Sequence, residues 1–167
     1  MLRISSGAIA DHIGNIGETI FRARIGKFCD DQPYFSAHFL GEKFRIHDYL
    51  VNALDENGIS AFFFAQVRAT RSGFEIRKDG RRYLKVSASK DDIEAMARYP
   101  GPSYLFGIDI ETEQAYFATI DDDTDKGFSA LPTDFELSCE NLSLLWSEVN
   151  AYWANRSKPH SSRFNIK

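Results

Sequence analysis

The feature of this sequence that most constrains its fold is the stretch of residues 62–70, a run of strand formers that contains two polar side chains. Side chains alternate between the two faces of a strand, so Gln66 and Arg68 lie on the same face. The other face is entirely apolar and consists of Phe63, Ala65, Val67 and Ala69. This pattern predicts a buried strand packed beneath helices. An amide and a guanidinium side by side on such a strand are more than core packing requires.

A second strand is predicted just upstream, over residues 44–54, and residues 55–58 connect the two. Asn-Gly between two apolar runs predicts a β-hairpin. Folding the chain about that turn places Asp48 opposite Ala65 or Gln66. The sequence therefore predicts that one carboxylate, one amide and one guanidinium converge at a single spot.

Several segments, in this order along the chain, carry a family resemblance: Gly14-Asn15-Ile16-Gly17-Glu18, His47-Asp48-Tyr49-Leu50-Val51, residues 63–70, residues 102–109 and residues 141–146. An acid on one strand, followed on the next by Gln-x-Lys, is a site pattern of PD-(D/E)XK nuclease-like proteins. This chain resembles that superfamily, and more narrowly it is similar to the family catalogued as Domain of Unknown Function 4365. It departs from the pattern at Arg68, where the family usually has Lys.

The resemblance implies an α/β (α+β) fold with a restriction endonuclease-like mixed central sheet, flanked by N-terminal and C-terminal helices. It implies a single nuclease-like domain over residues 1–155. It also implies Mg²⁺ (or Mn²⁺) held by Asp48, Gln66 and Glu18, because Mg²⁺ prefers hard oxygen ligands. The catalytic residues would then be Glu18, Asp48, Gln66 and Arg68. Glu18 has a second interpretation, as a surface acid paired with Arg22.

Arg68 is the residue on which catalysis depends in this scheme. A Lys at that position can lower its pKa and deprotonate the attacking water, whereas Arg stays protonated and cannot act as a base. Arg68 can still neutralise negative charge on a pentavalent phosphorus transition state. The sequence leaves open whether Arg68 permits catalysis.

The charges are segregated along the chain although the net charge is −4. Residues 68–90 contain eight Lys or Arg and two acids. Such a local cationic surface predicts phosphate contacts, with a solvated basic loop as the alternative. The predicted nucleic-acid-binding residues are Arg71, Arg81, Arg82 and Lys85. DNA is the expected nucleic acid, although nothing in the sequence distinguishes DNA from RNA. The sequence also predicts no target sequence.

The remaining elements follow from periodicity and capping signals. Helices are predicted over residues 8–26, with an isoleucine stripe from Ile9 to Ile20, over residues 89–98 with Ser89 as N-cap, and from residue 138 or 139 to 155. Residues 33–40 read as irregular or amphipathic. Hairpins are predicted over residues 73–87 and 104–120, and a mobile basic tail over residues 156–167.

Cellular context is predicted from what the sequence lacks. It has no apolar run of membrane-spanning length and no signal-peptide core at its start, so no membrane partner is expected and the cytoplasm is the predicted compartment. Cys29 and Cys139 are predicted to be inert free thiols. His47 is predicted to be a sheet-edge histidine that faces away from Asp48. A homodimer is an expectation by analogy with small nucleases.

Three functions are consistent with the sequence. The first is a metal-dependent nuclease, in bacterial defence or DNA repair, that requires Asp48 and Gln66. The second is a catalytically inactive nuclease-fold protein that binds nucleic acid through the same basic face. EDTA would not affect this binding. The third keeps only the fold and works with a protein partner.

Overall fold

The computed structural model describes residues 4–55, 58–122, 124 and 126–156, with the side chains of residues 58–60 excepted. Its helices are α1 (Ser6–Ile25), α2 (Lys90–Ala97) and α3 (Cys139–Ala154). Its strands are β1 (Phe28–Cys29), β2 (Gln32–Pro33), β3 (Phe35–Phe39), β4 (Tyr49–Asp55), β5 (Gly58–Thr70), β6 (Phe74–Ile76), β7 (Arg82–Leu84), β8 (Ser103–Asp109), β9 (Gln114–Ile120) and β10 (Leu131–Pro132). No helix in this part of the chain is long and apolar enough to cross a membrane. Of the predicted tail over residues 156–167, all but Arg156 lies outside the described residues.

A mixed sheet of five strands, in the order β3-β4-β5-β8-β9, forms the centre of the molecule. The pairing of β5 with β8 is parallel, and the other neighbours are antiparallel. Every residue of β8 is buried, as expected for a strand covered on both faces. The combination of helices and a mixed sheet confirms the predicted α/β class.

The two faces of this sheet bury two separate hydrophobic cores. On the first face, β5 contributes Phe63, Ala65 and Val67 to a core shared with α1 and α3. On the second face, Leu105 of β8 packs with residues of α2 and of a small sheet in the order β10-β7-β6. Gln66 pairs in register with Leu105, so it lies on this second face.

Two tryptophans attach α3 to the central sheet. The indole N–H of Trp146 donates to the Leu54 carbonyl over 2.8 Å, and that of Trp153 donates to the Phe62 carbonyl over 2.6 Å. Leu142 and Val149 of the same helix are fully buried. The predicted C-terminal helix and its apolar stripe are therefore confirmed.

The small sheet packs closely on the central sheet because β8 has a glycine at the contact. A Cβ added at Gly107 would lie 2.8 Å from Leu131 and 3.0 Å from both Leu84 and Val86. Gly107 pairs in register with Arg68 of β5. The chain around β7 is thereby brought beside Arg68.

The first helix forms where predicted, but it buries a different face. Its N-terminus is capped by Ser5, whose side chain accepts from the Ala8 N–H. Ile9 of the predicted apolar stripe is 44% exposed, whereas Gly17, Phe21 and Ile25 are buried. The reason is steric, because a Cβ at Gly17 would overlap the Ala69 Cβ, so the helix backbone lies directly on β5 at this point.

The predicted hairpin before Thr70 forms as β4 and β5, with Asp55 paired to Gly58. The first strand starts at Tyr49 rather than at residue 44, because the chain turns before it, with the Phe44 N–H bonded to the Gly41 carbonyl. β3, which pairs with β4 at the sheet edge, was missed by the prediction of an irregular segment. The hairpins β6–β7 and β8–β9 are confirmed, as is α2 with its Ser89 cap.

The prediction of free cysteines is wrong. Cys29 and Cys139 form a disulfide, with Cα atoms 5.6 Å apart, within the range that a disulfide requires. The bond joins β1, just after α1, to the first residue of α3. These elements pack on the same face of the central sheet, so residues separated by 110 positions become neighbours, which sequence spacing does not reveal.

Candidate functional site

Asp48 lies beside β5, at the point where β4 begins. Its backbone N–H donates to the Ala65 carbonyl over 2.9 Å, and its Oδ2 accepts from the Val67 N–H over 2.7 Å. Tyr49 pairs with Ala65, so continuing this register by one residue places Asp48 next to Gln66. The structure thus has the predicted register, and it holds the carboxylate beside the segment that contains Gln66 and Arg68.

The Asp48 carboxylate lies in a conflicting electrostatic environment. Burial raises its pKa above the ordinary value, and the nearby Glu18 carboxylate raises it further. The Val67 N–H and the Arg68 guanidinium act in the opposite direction. A partly buried carboxylate with a second carboxylate nearby is stabilised in its charged form by any additional cation.

Gln66 is buried, with 4% of its surface exposed, and its Oε1 has no hydrogen-bond donor among the described residues. An unpaired buried carbonyl oxygen costs about 1–3 kcal/mol. Such an atom in a buried position needs a partner that the described residues do not supply, and a water or a cation can provide it. This uncharged oxygen and the Asp48 carboxylate are hard donors of the type that Mg²⁺ accepts.

Glu18 belongs to α1, which packs on the first face of the sheet, opposite the face on which Gln66 lies, and its carboxylate is near enough to Asp48 to act on it electrostatically. The Tyr49 hydroxyl donates to its Oε2 over 3.0 Å, and the described ion pairs do not include a Glu18–Arg22 pair. Burial and the Glu18 carboxylate both raise the pKa of the Tyr49 phenol, so this hydroxyl stays a donor. The surface-pair interpretation of Glu18 is therefore wrong in this structure, because the carboxylate faces Tyr49 on the sheet.

Arg68 forms an ion pair that the sequence did not reveal. Its Nη2 lies 3.5 Å from Oδ2 of Asp92 at the start of α2, and the two side chains are 40% and 36% exposed. Asp92 lies within the helix predicted over residues 89–98. Its proximity to Arg68 depends on how α2 packs on the second face of the central sheet, and no local sequence signal reports that packing.

His47 is not at a sheet edge, as was predicted, but fully buried. The Ser103 hydroxyl donates to the Met96 carbonyl and its oxygen lies 3.1 Å from His47 Nε2, which therefore carries the proton. Nδ1 is then an acceptor without a donor, and burial lowers the pKa of His47 to about 4. The prediction failed because residues 44–48 do not continue β4, so the ring packs inside, against Phe64 and Tyr99.

The predicted nucleic-acid-binding residues differ in how far the protein already uses them. Arg71 pairs with Glu111, Arg81 pairs with Asp134, each over 2.6 Å, and Arg82 donates to the Tyr116 hydroxyl over 2.7 Å. Lys85 is exposed, and its side-chain ammonium has no hydrogen bond or ion pair with another described residue. Three of the four cations are thus engaged within the fold.

A second buried carboxylate, Asp109, was not predicted. It is 2% exposed at the end of β8, its Oδ2 accepts from the Thr112 hydroxyl over 2.5 Å, and its Oδ1 has no donor within the described chain. Thr70 of β5 pairs with it in register. The only sequence signal was an acid at the end of an otherwise apolar strand, which is also typical of a turn.

Comparison with protein-family models, with curated proteins and with solved structures finds no match. Within the described ranges, no group of three or more His, Cys, Asp or Glu side chains could hold a metal ion. The predicted ligand set contains two carboxylates and one amide, and Mg²⁺ commonly binds through one or two carboxylates while it keeps several waters. The donors of Asp48, Gln66 and Glu18 therefore fit such an ion in kind.

Proposed function

We propose that this chain is a metal-dependent nuclease-like protein of the PD-(D/E)XK superfamily, similar to the Domain of Unknown Function 4365 family, that acts on nucleic acid phosphodiesters. The restriction endonuclease-like fold is part of the proposal. Its support is the mixed central sheet, with the N-terminal and C-terminal helices α1 and α3 packed on one face.

One observation carries the metal site. The Asp48 carboxylate is bonded to the backbone N–H of Val67, directly beside Gln66, whose buried Oε1 has no partner among the described residues. In the proposed site Asp48 and Gln66 hold Mg²⁺ or Mn²⁺, and Glu18 contributes directly or through water. A divalent cation supplies Lewis-acid polarisation of a phosphodiester and activation of water.

The chain's own residues have distinct roles in this proposal. Arg68 neutralises charge on the phosphate under attack, and it does not accept a proton, because a guanidinium stays protonated in proteins. Tyr49 holds the Glu18 carboxylate in place through its hydroxyl. Cleavage by this chain is accordingly weaker than that of a protein with Lys at position 68, and Arg68→Lys increases it.

A specific observation favours a second function, a nuclease-fold protein that binds nucleic acid or a protein partner without cleaving. Arg68 replaces the usual Lys and is paired with Asp92. In this alternative the basic face is retained, binding needs no metal ion, and EDTA leaves it unchanged. A defence or repair role is compatible with both functions.

Metal binding by Asp48 is the test of the first proposal. Calorimetric titration of Mg²⁺ and Mn²⁺ into the protein is expected to show saturable binding, and Asp48→Ala is expected to weaken it by at least about tenfold, as loss of a charged ligand costs more than 1.4 kcal/mol. Plasmid cleavage assayed in parallel should be lost in the same variant.

Asp31→Ala is the matched control, because Asp31 is an exposed aspartate in the turn between β1 and β2. It should bind metal as the unmodified chain does. Absence of metal binding at millimolar concentration, together with intact plasmid, would rule out the catalytic proposal for this chain and leave the binding alternative.

A further inference from the structure

A groove of about 460 Å³ opens beside Arg68, on the second face of the central sheet. Its polar lining comes from Arg68, Lys85, Ser87, Ser89 and Asp92. These residues belong to three different parts of the chain: β5, the segment after β7, and the start of α2. The lining combines two cations, two hydroxyls and one carboxylate.

The alternation of buried and exposed residues explains why one side of the segment after β7 is polar. Leu84, Val86 and Ala88 are buried in the second core. Lys85, Ser87 and Ser89, which alternate with them, are exposed. Because Leu84 and Val86 contact Gly107, and Gly107 is the register partner of Arg68, the exposed side of this segment is held at the guanidinium.

The two cations of the groove are less satisfied by the fold than the three predicted phosphate-binding arginines, Arg71, Arg81 and Arg82. The side-chain ammonium of Lys85 has no hydrogen-bond or ion-pair partner within the described chain. Arg68 has Asp92, but at 3.5 Å, which is longer than the 2.6 Å pairs of Arg71 and Arg81. A cationic groove with hydroxyl groups beside it is suited to a phosphate, whose oxygens accept from all of these groups.

Asp92 is placed to compete for that position. Its backbone N–H donates to the Ser89 side chain over 3.1 Å, so the start of α2 is fixed, and its carboxylate approaches the guanidinium from the groove. A carboxylate on a half-exposed arginine makes the contact that a phosphate oxygen would otherwise make.

We propose that this groove is a phosphate subsite for the nucleic acid backbone, that Lys85 is its main contact, and that Asp92 occupies Arg68 until a phosphate displaces it. The inference deepens the proposed function and rests on it for the identity of the ligand. Among the predicted nucleic-acid-binding residues, Lys85 then contacts the phosphate backbone of the nucleic acid. Arg71, Arg81 and Arg82 instead bond to side chains of the protein itself.

The test is binding of a fluorescein-labelled 20-base-pair DNA duplex, followed by anisotropy in EDTA at several salt concentrations. Lys85→Gln is expected to weaken binding roughly tenfold at low salt and to reduce the slope of log affinity against log salt by about one, as for one lost phosphate contact. Asp92→Asn is expected to tighten binding several-fold, because it removes the competing charge.

Lys78→Gln is the matched control, since Lys78 is exposed in the turn between β6 and β7, away from the groove. It should bind as the unmodified chain does. Equal losses for Lys85→Gln and Lys78→Gln, unchanged or weaker binding by Asp92→Asn, or no binding of the duplex would each overturn the subsite.

The EDTA condition separates this inference from the nuclease proposal. Binding that depends on Lys85, together with failure of the metal titration, would retain the subsite and reject catalysis. Metal binding at Asp48 without any effect of Lys85 or Asp92 would retain the metal site and reject the subsite.

Discussion

At the residue scale, His47 shows how burial selects one protonation state. The Ser103 hydroxyl donates to the Met96 carbonyl, so its oxygen accepts from the protonated Nε2 of His47. Nδ1 faces the protein interior without a donor or acceptor among the described residues. Protonating Nδ1 would create a buried N–H and a buried charge, both without a partner. This is why the pKa of His47 is lowered to about 4.

His47 should therefore make folding stability depend on pH. Between pH 6.5 and about 4 the unfolded chain binds the proton and the folded chain does not, so stability falls as the pH is lowered through this window. The slope from one such group approaches about 1.4 kcal/mol per pH unit. Urea unfolding of the unmodified chain and of His47→Gln at several pH values measures the difference.

The His47→Gln variant is the reference for the unmodified chain, because glutamine is polar but does not titrate in this pH range. Its stability is expected to depend less steeply on pH than that of the unmodified chain. Parallel curves for the two proteins would mean that His47 is protonated within the fold.

The candidate site could be predicted in part from single residues. Gln66 and Arg68 follow from the period of two in β5, and Asp48 follows from the hairpin, because each depends on neighbours in sequence. The partners Asp92 and Tyr49 could not be predicted in this way. Their contacts to Arg68 and Glu18 depend on how α2 and α1 are positioned on the sheet.

At the element scale, two glycines of α1 that look alike in sequence have opposite structural roles. A Cβ at Gly17 would overlap the Ala69 Cβ of β5, whereas a Cβ at Gly14 would meet no atom within 4 Å. Gly17 precedes Glu18, so the close approach of the helix also sets the position of the carboxylate that Tyr49 holds. Close packing of the helix on the sheet therefore explains the glycine at position 17 but not the one at position 14.

The substitutions Gly14→Ala and Gly17→Ala form a matched pair. Gly14→Ala should stabilise the protein by up to about 1 kcal/mol through helix propensity. Gly17→Ala should destabilise it by about 1–3 kcal/mol, because the helix must move away from β5. Chemical denaturation of both variants measures the two effects, and a stabilising Gly17→Ala would contradict the observed helix–sheet contact.

Elements were predictable where their signals are local. Ser89 and Ser138 cap α2 and α3, and a turn with Gly80 at positive φ connects β6 to β7. β3 was not predictable, because it is an edge strand whose pairing with β4 supplies what its own sequence lacks. The buried face of α1 was not predictable from its isoleucines, because a glycine decides which side contacts the sheet.

At the scale of the whole molecule, the Cys29–Cys139 disulfide closes a long loop. It links residues separated by 110 positions, and a cross-link of this span restricts the unfolded chain strongly. Disulfides persist chiefly in oxidising compartments. The cytoplasmic location stays a prediction, and the state of this bond in the cell bears directly on it.

Replacing both cysteines by serine should lower the free energy of unfolding by about 2–5 kcal/mol. Denaturation of the unmodified chain with and without dithiothreitol should show a loss of similar size. The double variant should not respond to dithiothreitol. An unmodified chain that is equally stable in both conditions would indicate that the bond contributes nothing to folding.

The attachment of α3 through its indoles has an optical consequence. The chain contains two tryptophans, and both lie on this helix, bonded to carbonyls of β4 and β5. Emission excited selectively at indole wavelengths therefore reports the docking of one helix rather than the average state of the protein. The groove beside Arg68 lies across the sheet from α3, so a spectral shift on adding a ligand there would mean that α3 itself had responded.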